Sequence, residues 1–114
     1  MFDFEKLQVY SKAKAFNKEV NRFIIASKLD RTTRDQLRRA SFSVMLNIAE
    51  GSGRYSKADK RHFYVISRGS TFECVAIFDY LKDIDSITEK QYSEYYKLLD
   101  ELSRMLYGMI KSLS

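Results

Sequence analysis

Proline and tryptophan are absent from this chain, cysteine and histidine occur once each, and only four of its 114 residues are glycine. Each shortage removes options. With no proline and so few glycines, few positions are built to stop or bend the chain, which argues against a turn-rich β fold. One cysteine, Cys74, excludes an internal disulfide and a cysteine metal cluster. One histidine, His62, has no glutamate three residues before it, so the Glu-x-x-His pair of a carboxylate metal bundle is missing. No apolar run reaches the length of a membrane span, so no membrane contact is expected. The start, MFDFEKLQVY, lacks the apolar stretch of a signal peptide and carries acids at 3 and 5. A cytoplasmic setting is the expectation, and a reducing one suits the single thiol.

What is present is charge and apolar surface in helical order. Apolar residues make up 45% and charged residues 31%. That mixture suits long solvated helices around a modest core, and the length suits one domain spanning 1–114. Net charge is +5, and it is uneven. From Arg31 to Arg68 there are nine basic and three acidic residues, a local +6, which leaves −1 for the rest. Such an excess attracts phosphate backbones or acidic partners.

Apolar side chains recur at spacings of three and four along four segments. The first runs from about Leu7 to Lys28 through Leu7, Tyr10, Ala13, Phe16 or Asn17, Val20, Phe23 and Ile24. Phe2 and Phe4 are placed to clamp the preceding tail. The second carries Leu37, Ala40 or Ser41, Val44 and Ile48, with Thr32 as the expected N-cap and Asp35 in its first turn. It is expected to end at Glu50, with Gly51 and Gly53 in left-handed cap positions. The third starts at a Ser56 cap and runs to about Asp83, with Phe63, Ile66, Ser70, Glu73, Ile77, Tyr80 or Leu81, and Ile84 as its expected inner stripe. The fourth opens on a Thr88-to-Gln91 capping box and continues through Tyr92, Tyr95 or Tyr96, Leu99, Leu102, Met105 or Leu106, Met109 and Leu113. Short connections make consecutive helices antiparallel neighbours. The expected fold is all-α, an up-down-up-down antiparallel four-helix bundle.

No constellation supports catalysis. His62 has Asp59 three residues back but no nucleophile at a useful spacing. The glycines at 51 and 53 follow a helix and lack the Lys-Ser/Thr ending of a phosphate loop. No enzyme activity, metal or cofactor is therefore expected. Two other groupings carry the functional expectation. Arg38, Arg39, Arg54, Lys57, Lys60, Arg61 and Arg68 form modest basic patches suited to RNA or DNA phosphates, with Tyr55 and Tyr64 able to stack on bases. Asn47, Glu50, Gly51, Gly53, Gly69, Ser70 and Glu73 form a candidate polar network or interface. A carboxylate on an apolar stripe needs an arginine or other donors, and Gly69 inside a helix suggests a close approach. That network reads as a device fixing bundle register, as a ligand pocket, or as an intersubunit pairing. Wide apolar faces and many tyrosines favour self-association or a protein partner.

Several segments resemble a known family. They are Phe4-Glu5-Lys6-Leu7-Gln8-Val9-Tyr10 with Lys12-Ala13, Gln36-Leu37-Arg38-Arg39-Ala40, Ser43-Val44, Asn47-Ile48-Ala49-Glu50-Gly51, Gly53-Arg54, Phe63, and Gly69-Ser70 with Glu73. Together they are similar to the four-helix-bundle proteins of 23S rRNA intervening sequences, the S23-type family. The accessory variability proteins of diversity-generating retroelements are a related branch. The chain departs from many relatives in having Tyr10 in place of tryptophan, no proline before the second helix, and Cys74 in place of leucine. The resemblance implies a left-handed four-helix bundle, a cyclic homopentamer with a positive surface, and no enzyme activity. For the retroelement branch it implies nucleic-acid binding and contact with a reverse transcriptase. The expected function is a non-catalytic homopentamer binding structured RNA or DNA. The alternative is a protein-binding assembly scaffold that does not touch nucleic acid.

Overall fold

In the computed structural model, which describes Met1–Ser114, four α-helices follow a short 3-10 turn at Asp3–Lys6. They are α1 (Gln8–Ala26), α2 (Arg31–Ser52), α3 (Lys57–Asp83) and α4 (Glu89–Ser112). Each packs on the next in the chain, and α4 returns to α1 to close the bundle. The arrangement is the expected all-α up-down-up-down bundle, 44 Å long and 24 × 21 Å across. Lys12 of α1 pairs with Glu101 of α4 at 2.6 Å. No helix is long and apolar enough to cross a membrane.

Local chemistry explains where the helices start and stop. The Thr33 amide donates to the Asp30 carboxylate at 2.7 Å, so Asp30 caps α2, two residues before the expected Thr32. That bond holds the Asp30 carboxyl below its usual range. Ser56 caps α3 by accepting from the Asp59 amide at 3.0 Å. Thr88 and Gln91 form the expected capping box on α4. The end of α3 uses a Schellman closure with no glycine in it. Asp85 takes the left-handed position at φ 60°, and the Ser86 amide donates back to the Leu81 carbonyl at 2.9 Å. Aspartate tolerates that conformation better than most residues.

The core runs through all four helices. Val9, Ala13, Phe16, Val20 and Ile24 face inward from α1, and Leu37, Ala40, Val44 and Ile48 from α2. Leu99, Leu102 and Leu106 complete it from α4. At the N-terminus, Phe4 packs against Tyr10 with ring centroids 4.7 Å apart, while Phe2 stays exposed. The tail is clamped by one of its two phenylalanines.

On α3 the inward stripe lies one position further along than expected, except at Leu81, one of the two expected alternatives there. Tyr64, Ser67, Thr71, Cys74, Phe78 and Leu81 are buried, whereas Ile66, Glu73 and Ile84 are exposed. The expected stripe followed the largest aliphatics. The real one uses small hydroxyls whose polar atoms are satisfied on backbone. Ser67 Oγ donates to the Val44 carbonyl at 2.7 Å, and Thr71 Oγ1 to the Ser67 carbonyl at 3.0 Å. Small side chains let α2 and α3 approach closely, and the bonded hydroxyls avoid the cost of burying an unpaired polar group.

The glycines are also used differently. Gly51 lies inside α2 and is buried, and Gly53 has φ −86°, so neither takes the left-handed cap. A Cβ at Gly51 would lie 2.8 Å from Tyr64 Cε1 and 3.0 Å from Phe63 Cβ. Gly51 is therefore the close-approach glycine. Gly69 is exposed, and nothing lies within 4 Å of a Cβ built there. Gly51→Val is expected to cost about 1–3 kcal/mol by overpacking. Gly69→Ala should stabilise the chain by roughly 1 kcal/mol through helix propensity. Thermal melts of the two variants should move in opposite directions.

Candidate nucleic-acid interface

The seven basic candidates fall in three places. Arg54, Lys57, Lys60 and Arg61 gather at the end of the bundle where α2 hands over to α3. Two of them, Lys60 and Arg61, are placed by backbone needs as well as by charge. Lys60 Nζ crosses the turn and donates to the Ser52 carbonyl at 2.9 Å. Arg61 Nη1 donates to the Leu113 carbonyl at 2.7 Å. Both bonds satisfy carbonyls that a helix leaves free at its C-terminal end, where a cation also suits the dipole. Arg54 pairs with Glu50 one turn back and lies over the Phe63 ring at 4.6 Å.

Arg38 and Arg39 sit midway along α2, exposed. Their side chains, like that of Lys57, make no hydrogen bond or ion pair within the chain. Arg68 is apart from both groups, in the α3–α4 seam. Its Nε donates to the Ser103 carbonyl at 3.2 Å, and its guanidinium lies 4.8 Å from the Phe72 ring and 5.4 Å from Tyr107. The chain thus carries an end cluster, a flank pair and an inlaid arginine. Of the seven cations, only Arg54 meets a carboxylate. Lys60, Arg61 and Arg68 bond to carbonyls, which leave their positive charge uncompensated.

The candidate polar network divides as well. Asn47 Nδ2 donates to the carbonyl and hydroxyl of Ser43, both at 2.9 Å. Ser43 Oγ lies 2.8 Å from Ser70 Oγ, which joins α2 to α3. Glu50 belongs to Arg54 instead. Glu73 is exposed and accepts from Gln36 Nε2 at 3.2 Å. It needs no arginine because it faces solvent, contrary to its expected place on the inner stripe. Ser43 and Gln36 lie in the segments that resemble the family but are not among the expected network residues. Their short polar side chains gain meaning only from the neighbouring helix.

Of the remaining reactive groups, His62 is exposed and Cys74 is buried. The His62 ring meets the Phe63 ring edge-on at 5.3 Å. Burial, with the nearby Glu73 charge adding to it, pushes the Cys74 thiol up to about 12 from its ordinary 9.0. At pH 8 that lowers its thiolate fraction by roughly a thousandfold. Cys74 is expected to resist a thiol-specific disulfide reagent in the folded chain and to react promptly once denaturant is added.

The two tyrosines proposed to stack on bases have opposite fates. Tyr64 is buried under Gly51, whereas Tyr55, in the α2–α3 turn, is fully exposed. Tyr55 stands beside an open cleft of about 900 Å³ that Phe4, Phe63, Arg54 and Asp59 also line. Phe4 reaches this cleft from the N-terminal 3-10 turn, a juxtaposition invisible in the linear sequence.

Comparison with known proteins fixes the lineage of this arrangement. The family model described as 23S rRNA-intervening sequence protein matches residues 5–108. The chain belongs to that family. A crystal structure of a protein with unknown function from the S23 ribosomal protein family of Bacteroides thetaiotaomicron VPI-5482 has the same fold, with a TM-score of 0.85. The two are 23% identical over 90% of this chain and 98% of the other. No functionally curated protein matches. The family match starts at Glu5, just past the clamping Phe4, spans the end cluster and the α3–α4 seam, and stops at Gly108, short of Leu113 on which Arg61 docks. The chain is a four-helix bundle of the S23 family.

Proposed function

We propose that the chain assembles into a homo-oligomer, a pentamer on the family resemblance, and binds structured RNA or DNA in the cytoplasm. The observation that carries the proposal is the uncompensated charge. Arg38, Arg39, Lys57, Lys60, Arg61 and Arg68 all lack a carboxylate partner, so their field is available to phosphates. The end cluster adds the N-terminal end of α3, whose dipole favours an anion. A cyclic assembly would repeat these patches around its axis. Contacts of this kind position a phosphate backbone without choosing a sequence.

Self-association is supported by exposed apolar side chains that the single chain does not cover. Phe42 and Leu46 stand one turn apart on α2, and Val65 and Phe72 two turns apart on α3. The same surfaces favour a second reading, in which the assembly is a scaffold for a protein partner, with a reverse transcriptase as the partner in the retroelement branch.

Light-scattering chromatography of the chain, alone and with a structured RNA or duplex DNA, tests both parts. The expected result is five copies of the 13.4-kDa chain, shifting to a heavier complex with nucleic acid at low salt. A pentamer that ignores both nucleic acids would favour the scaffold. A monomer would contradict the assembly.

A further inference from the structure

The cleft beside Tyr55 has a composition unlike the rest of the basic surface. Aromatic rings reach it from three elements: Phe4 from the 3-10 turn, Tyr55 from the α2–α3 turn and Phe63 from α3. The Arg54 guanidinium covers one of them, the Phe63 ring, at 4.6 Å. Tyr55 makes no contact that holds the fold, since its side chain is fully in solvent. A large aromatic with no structural duty, beside an open aromatic-lined cleft and next to Arg54, Lys57 and Lys60, has the parts of a base-stacking platform.

The geometry points to this cleft as the seat of an unpaired nucleobase, with Tyr55 as its stacking face. This rests on the nucleic-acid reading above and narrows it to strands or loops with unstacked bases. A duplex offers phosphates to the same cations but keeps its bases stacked inward, out of reach of Tyr55. Two carboxylates also line the cleft. Glu50 is neutralised by Arg54, and Asp59 has no ion pair, so its carboxylate is left as an acceptor at the rim. The division of labour is physical. Lys57 and Lys60 hold the backbone through charge, and Tyr55 holds the base through its ring.

The test is a fluorescence-anisotropy titration of the full chain with a short single-stranded RNA and with a duplex of the same length. Wild type, Tyr55→Ala and Tyr55→Phe are compared at one low salt concentration. Stacking of one base predicts that Tyr55→Ala weakens single-strand binding about fivefold to a hundredfold, that Tyr55→Phe retains it, and that duplex binding changes less than about twofold. Equal losses on both ligands, or none on either, would overturn the base site. So would a changed oligomer mass in Tyr55→Ala, which would make Tyr55 a subunit contact. If wild type binds the duplex but not the single strand, this inference fails and the nucleic-acid reading survives. If wild type binds neither, both fail.

Discussion

Replacing Arg38, Arg39 and Lys57 together by alanine is expected to strip much of the salt-sensitive affinity for nucleic acid while leaving the fold intact. The three side chains are exposed and make no intramolecular bond, so the structure gives them no stabilising role. Surface changes of this kind usually stay within about 0.5 kcal/mol each. Their effect on binding is of another size. Each phosphate contact on a duplex releases counterions and adds about 0.9 to the log–log salt slope. Losing three contacts per engaged subunit would flatten that slope by up to about 2.7. Over a fourfold rise in salt, the wild type would then lose roughly 40-fold more affinity than the variant. A titration series at several salt concentrations reads both numbers, and a circular-dichroism melt confirms the fold. Lys60, Arg61 and Arg68 are less suitable for this test. Their carbonyl bonds to Ser52, Leu113 and Ser103 tie helix ends and seams together, so removing them mixes stability with binding.

Phe78→Ala is expected to be the most damaging single change to the fold. Phe78 is 1% exposed. Its ring stacks on Tyr95 with centroids 4.3 Å apart at 10°, and it meets Phe23 at 5.9 Å. These contacts join α3 to α4 and to α1, the two helices that close the bundle. Truncating a buried phenylalanine costs about 3–5 kcal/mol, from lost transfer energy and the cavity left behind. A domain of this size has roughly 5–15 kcal/mol in total. The melting temperature should therefore fall by roughly 10–20 °C. Phe78→Leu keeps most of the volume and should lie between the two. A Phe78→Ala melt close to wild type would mean that the α1–α3–α4 junction does not hold the bundle together.

The helices were legible because the apolar spacing is regular wherever the core is aliphatic. On α2 the expected stripe of Leu37, Ala40, Ser41, Val44 and Ile48 is the observed one. On α3 the same rule misplaced the stripe, because Ser67 and Thr71 occupy core positions and large aliphatics such as Ile66 and Ile84 face out. Hydropathy cannot show that a serine is satisfied by the Val44 carbonyl of another helix. The two Gly-X-Gly glycines at 51 and 53 misled for a related reason. Gly51 serves close packing under Tyr64, a demand set by the neighbouring helix and not by the local backbone. Asp85 ends α3 in a left-handed position where no glycine marks it.

The candidate site was legible as residue types and not as a surface. The excess charge between Arg31 and Arg68 is plain in the sequence. Which cations remain uncompensated depends on distances: Arg54 finds Glu50, while Lys60 and Arg61 reach carbonyls of other helices. Tyr55 and Tyr64 look equivalent along the chain. The fold buries one and presents the other beside a cleft that Phe4 helps to form.

The most direct measurement is the dissociation constant of the wild-type chain for a structured RNA across a range of salt concentrations. A basic surface acting on phosphates predicts tight binding at low salt and a steep linear fall in log affinity with log salt. A flat dependence, or no binding at the lowest salt, would contradict the claim that these uncompensated cations are a nucleic-acid interface.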